Sequence, residues 1–205
     1  MSDWRRSPFG NPAAWYTSIG ILLLAFSLWI PWLSASRTAR VETRGDELAS
    51  ALLDATLGMP LPLDEADLQV VMARFFVTAA SRGVRTKGVV LVEPPPDGAL
   101  LCLSNKHYYF QLSEAPPDAT SRQGKGTAAS LEVVAWPIST LSAGHCVYFY
   151  PQDAARAYSR NLRRGYRGLE DDYRPLPGGA HRRPGGNTPR KSQYPGVDDE
   201  RWIVY

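Results

Sequence analysis

The residues that could carry chemistry are few and scattered. His107, His145 and His181 are the three histidines, and no pair has the i, i+4 spacing that aims two imidazoles at one metal. No metal site is expected. His145 adjoins Cys146, but neighbours on a strand point to opposite faces, so the two cannot act together as base and nucleophile. A thiol mechanism would need His107, Cys146 and Asp153 to converge in a pocket. Gly124, Lys125, Gly126 and Thr127 lack the upstream glycine spacing and the Gly-Lys-Ser/Thr ending of a phosphate loop, and read as a surface loop. The two cysteines, Cys102 and Cys146, lie in apolar strand-like runs and permit two buried thiols or one bridge. The acidic runs Glu170-Asp171-Asp172 and Asp198-Asp199-Glu200 lack the interleaved spacing of calcium ligands and read as solvated turns. No catalytic residue, cofactor or small-molecule substrate is expected from these residues.

A basic, aromatic stretch is the more informative feature. Arg160, Arg163, Arg164, Arg182 and Arg183 are interleaved with Tyr166 and Tyr194, and the chain closes on Trp202, Ile203, Val204 and Tyr205. Arginine and aromatic rings are what the energetic centre of a protein interface contains. We expect Arg160, Arg163, Arg164, Tyr166, Arg182, Arg183, Tyr194, Trp202 and Tyr205 to bind a partner. Lipid headgroups and neighbouring membrane subunits are the expected counterparts, and nucleic acid is not.

The elements that must position these residues follow from periodicity. No charge occurs between Arg6 and Arg37, and residues 14–35 are apolar enough to cross a hydrocarbon core that needs roughly 20 helical residues. Trp15 and Tyr16 mark one end and Trp29 and Trp32 the other, as headgroup-level rings do. Pro31 predicts a kink near the membrane exit. A cleaved signal peptide is the competing reading, but the run exceeds a usual h-region and bulky Trp32 and Leu33 crowd the cleavage position. Arg5 and Arg6 before the span and Arg37, Arg40 and Arg44 after it leave the charge rule nearly balanced. A signal-anchor with its domain exported is the preferred topology.

Beyond the span, Val41, Leu48, Leu52 and Ala55 share a helical face, with Arg40, Arg44, Asp46 and Glu47 on the wetter side. A second helix is capped by Asp64, with Asp67 three residues on, and carries Leu68, Val71, Met72, Phe75, Phe76 and Ala79 as a core stripe. Short apolar runs then predict strands at 88–92, 99–103, 107–112, 131–136 and 145–150. Residues 156–162 fit a helix or a return strand, and the strand is favoured by the short turn before them. The expected fold is α+β: a tail (1–13), a transmembrane helix (14–35) continuing as an amphipathic helix, and a soluble domain (36–173) whose second helix packs on a small antiparallel sheet. A Pro/Gly-rich arm (174–205) without regular structure follows.

The run Ile30-Pro31-Trp32-Leu33-Ser34-Ala35-Ser36-Arg37, continuing as Thr38-Ala39-Arg40-Val41-Glu42 to Leu52, resembles the N-terminal helix of type IV pilins and pseudopilins. In that family an apolar, proline-containing helix runs into an amphipathic extension that packs on an antiparallel sheet. The family's processing motif is absent: Gly10 is followed by Asn11, and no acidic residue occurs between Gly10 and Glu42. The likeness therefore rests on the helix and the element order. The function expected is a non-catalytic, single-pass accessory subunit of a larger membrane complex, of bioenergetic, light-harvesting or secretion type. Its location would be the inner membrane with the domain in the periplasm. The alternatives are a pilin-like filament or secretion subunit, and a membrane-anchored enzyme or ligand-binding domain.

Overall fold

The structure, a computed structural model, describes residues 12–59, 61–115, 130–183 and 192–205. The expected tail, the Gly124–Thr127 loop and residues 184–191 lie outside or largely outside these. Helix α1 (Pro12–Ala55) runs unbroken for 44 residues, with Pro31 inside it. That is a rod of about 66 Å. Its first half is long and apolar enough to cross a membrane, and none of its most apolar window is buried against the domain. Trp15, Tyr16, Trp29 and Trp32 are all exposed along it.

The second half of α1 does the opposite. Leu48, Ala49, Ala51 and Leu52 are fully buried, on more than one side of the helix. Alanines among the leucines allow close approach from two directions. On one side lies the sheet, through the strands Tyr108–Glu114, Leu131–Pro137 and Val147–Pro151; on the other lies α2 (Glu65–Ser81). This corrects the expected arrangement: α1 covers the sheet, and α2 packs chiefly on α1. Helix α2 starts as its residues require, with the Asp64 carboxylate accepting from the Asp67 N–H at 2.8 Å and the Asp67 carboxylate accepting from the Asp64 N–H at 3.2 Å. It buries Val71, Phe75 and Ala79. Phe76, expected inside, is 38% exposed.

The strands are β1 (Val90–Leu91), β2 (Leu101–Ser104), β3 (Tyr108–Glu114), β4 (Leu131–Pro137), β5 (Val147–Pro151), β6 (Ala157–Ser159), β7 (Gln193–Pro195) and β8 (Arg201–Val204). Among the described residues they form one antiparallel sheet in the order β1-β2-β3-β4-β5-β6-β8-β7. Residues 157–159 are a strand, the preferred of the two alternatives.

The arm expectation is corrected here. Its described residues supply β7 and β8, which extend the sheet through pairing of β8 with β6. They also cover its second face. Cys102, Val134, Trp136, Val147 and Phe149 point away from α1, and Tyr166, Ala180, Tyr194 and Trp202 close over them. Proline and glycine do not prevent this, because a covering layer of turns needs apolar side chains at its contacts and no helical or strand period. The Trp136 indole N–H donates to the Gly168 carbonyl at 2.7 Å, tying this layer to β4.

Candidate functional site

The junction where α1 leaves its exposed stretch and enters the domain is the place where most unlike parts of the chain meet. Glu42 accepts from the backbone N–H groups of His145 and Cys146 at 3.0 and 3.2 Å. One turn on, Asp46 accepts from the hydroxyls of Tyr150 and Tyr205. Arg44 donates to the carbonyls of Arg85 and Lys87 at 2.6 and 3.0 Å. The supposed wetter side of the helix thus holds the domain with charge-assisted bonds. Tyr108 fills the remaining space. A Cβ at Gly45 would meet its ring at 3.1 Å, so any larger residue there would press the ring back by a few tenths of an ångström.

Below these clamps is a recess of about 380 Å³ lined by Ser34, Arg37, Thr38, Lys106, His107 and the 139–143 loop. Ser34, Arg37 and Thr38 share one face of α1, the face that continues to Val41, Glu42 and Gly45. Neither Arg37 nor Lys106 has a hydrogen bond or ion pair among the described residues. The His107 imidazole is held below its ordinary value by burial, then by the nearby charges of Lys106, Arg37 and Arg44. The recess is electropositive. Cys146 and Asp153 do not line it, so the combination a thiol mechanism would need is not assembled there.

The cysteines are free and belong to opposite faces of the sheet, Cys102 with Trp136 and Cys146 with the α1 side. Burial pushes both thiols up to about 12, with Glu42 adding to the effect at Cys146. A thiol so raised is a poor nucleophile at neutral pH.

A second cluster has the residue types of a hydrolase but not the geometry. On the covered face, Glu132 is fully buried, and His181 Nε2 donates to its carboxylate at 2.7 Å. The Gly178 N–H donates to the same carboxylate at 2.7 Å, and Ser113 Oγ lies 3.4 Å from it. Serine and histidine both meet the glutamate and not each other, and Ser113 is sealed from solvent. The cluster fastens the Gly178–His181 turn to β4. Among the described residues no three His, Cys, Asp or Glu side chains converge as metal ligands.

The expected partner-binding residues divide. Tyr166, Tyr194 and Trp202 are interior, packed on the covered second face of the sheet. Tyr205 is half-exposed but its hydroxyl is engaged by Asp46 and Tyr150. Arg160, Arg163, Arg164, Arg182 and Arg183 remain at the surface. Some of these have local tasks, since Arg183 pairs with Asp199 at 2.6 Å and Arg182 stacks over Tyr194 at 5.3 Å.

The acidic run at 198–200, expected to be solvated, is instead a hub. Glu200 is buried and accepts from the N–H groups of Arg163, Arg164 and Arg201 and from Ser159 Oγ. Burial works to raise its carboxyl, and the Arg164, Arg201, Ser159 and Arg163 donors outweigh it, leaving the group below its usual value. Asp198 goes the other way, raised chiefly by burial despite the Tyr166 hydroxyl at 2.6 Å. The cue in the sequence was position: acids placed just before an apolar strand end, where backbone N–H groups need acceptors.

No family model matches the chain, and no curated protein or solved structure shows significant similarity to it.

Proposed function

We propose that the chain is a single-pass, non-catalytic accessory subunit of a larger membrane complex, its domain held at the bilayer surface by α1. The observation that carries this reading is the division of one continuous helix into an exposed apolar half and a half that is the centre of the core. A domain so joined has a fixed pose relative to its span, which suits a part that positions neighbours. In this reading the signal-anchor stays in the inner membrane and the domain faces the periplasm.

A further surface that supports a partner lies on α2. Val70 and Val77, two turns apart, are 43% and 70% exposed, with Phe76 beside them. Ala66, Ala73 and Ala80 lie on the same outer side and are exposed too. An apolar stripe of small residues is a helix-packing face left open.

The test is purification of the tagged full chain in mild detergent, with mass spectrometry of what co-elutes in stoichiometric amount. A discrete partner set is expected, and Val70→Glu with Val77→Glu is expected to lose it while the thermal transition stays within a few degrees, since exposed positions change stability little. A chain that elutes alone would sink the subunit reading.

A second reading, a pilin-like filament or secretion subunit, is supported by the long helix packed on an antiparallel sheet. Intact-mass measurement separates the two, because that reading requires an N-terminus cleaved near Gly10.

A further inference from the structure

We infer that the electropositive recess beside α1 binds the phosphate of an anionic phospholipid of the surrounding bilayer. The inference rests on the reading of α1 as a membrane span and adds a ligand and its residues to it.

Depth is the first argument. Counting about 1.5 Å per helical residue, the 20 residues from Trp15 to Ser34 span the roughly 30 Å of a hydrocarbon core. Ser34 then stands at the edge of that core and Arg37 and Thr38 in the headgroup layer, and the three form one wall of the recess. Lys106 and His107, from the β2–β3 turn, form another, and the loop that follows β4 closes it with Ser139, Leu141 and Ser142.

Chemistry is the second. The lining offers two cations without internal partners, an imidazole, the Thr38 hydroxyl and the paired Ser139 and Ser142 hydroxyls, and no carboxylate, the Ser34 hydroxyl being donated to the Pro31 carbonyl at 2.8 Å. Those groups suit a phosphodiester, which takes charge from lysine and arginine and accepts hydrogen bonds from serine and threonine. The nearest acid on α1, Glu42, is already occupied by the His145 and Cys146 N–H groups. The recess is also built rather than accidental. The Asn105 side chain accepts from the N–H groups of His107 and Tyr108 at 2.7 and 2.9 Å, and the Ile138 N–H donates to the His107 carbonyl at 2.9 Å. These bonds fix the turn that presents Lys106 and His107.

The third argument is Leu141. It lines the recess yet is 94% exposed, an apolar side chain with nothing in the domain to cover it. At this depth the acyl chains of the lipid whose phosphate fills the recess would cover it.

The experiment is native mass spectrometry of the detergent-solubilised full chain, titrated separately with phosphatidylglycerol, phosphatidylcholine and inorganic phosphate. One phosphatidylglycerol is expected to be retained in preference to phosphatidylcholine. Arg37→Ala with Lys106→Ala is expected to weaken that retention about thirtyfold, at the ordinary contribution of two interfacial cations. Arg37→Lys with Lys106→Arg is expected to restore it, and Arg201→Ala, at an exposed position outside the recess, to leave it unchanged. Equal retention by the wild type and the alanine variant would overturn the site. Retention of inorganic phosphate as tight as that of phosphatidylglycerol would overturn the lipid as its source. Extraction of the chain from membranes by alkaline carbonate tests the span itself, so failure of the anchor is distinguishable from failure of the recess.

Discussion

Removing residues 174–205 is expected to unfold the domain, seen as loss of a cooperative thermal transition and of near-ultraviolet ellipticity. The truncation deletes β7 and β8 and with them the pairing of β8 to β6. It strips Ala180, Tyr194 and Trp202 from the second face of the sheet and leaves Trp136 and Phe149 bare. It also removes Glu200, on which the N–H groups of Arg163 and Arg164 and the Ser159 hydroxyl converge. Loss of one buried large aromatic costs about 3–5 kcal/mol, against a total of about 5–15 kcal/mol for a whole domain. Two such rings, a strand pairing and a charge hub together exceed what the fold can lose. Trp202→Ala alone is expected to lower stability by about 3–5 kcal/mol and to keep a cooperative transition. A truncated chain that melts like the intact one would show that the C-terminal layer is peripheral.

Glu132→Ala is the second large effect, and its cause is electrostatic where the first was chiefly apolar. The carboxylate sits without solvent contact and satisfies His181 Nε2 and the Gly178 N–H, each at 2.7 Å. Alanine leaves a buried imidazole and a buried backbone donor with nothing to accept from them. Each buried donor left without an acceptor costs roughly 1–3 kcal/mol. Replacing both partners is different. Glu132→Leu with His181→Phe removes the stranded groups together and is expected to recover much of that loss, leaving mainly the Gly178 N–H unsatisfied. Chemical denaturation of Glu132→Leu, His181→Phe and the double variant would measure the coupling. Additive losses would mean that Glu132 and His181 act separately and that the cluster is not the fastening described.

The elements most legible in the sequence were those with a local signature. Asp64 and Asp67 announce the start of α2 because the capping box is written within four residues, and the structure shows both of its bonds. Strands β4 and β5 are legible as elements, but the layer that covers their second face is not. Leu131 to Trp136 and Val147 to Tyr150 are apolar at nearly every position, and a sheet covered on one face only would alternate. That continuity was the cue for a second layer, to which the Pro/Gly-rich end contributes Ala180, Tyr194 and Trp202. Composition suggested an arm there because turns leave no period to detect, whereas the contacts of Tyr194 and Trp202 with the sheet are long-range facts. Phe76 was misplaced for a related reason. Its helical spacing fits a core stripe, and only the position of α1 decides which edge of that stripe stays open. The recess could not be foreseen at all, since Arg37, Lys106 and Ser142 come from three separate segments joined by tertiary packing.

In the single-pass arrangement proposed above, α1 passes from span to core with no intervening linker, so the domain would have an azimuth as well as a height above the bilayer. Each residue of helix contributes about 100° of rotation and about 1.5 Å of rise. One residue inserted between Trp32 and Val41 would therefore swing the α2 stripe about 100° around the helix axis while scarcely lifting it. Seven would return it to within about 20° of its starting bearing, about 10 Å farther from the membrane. Neighbours that engage the span and the domain at once are bound to that helical phase, as two gears on one shaft are bound to a common tooth.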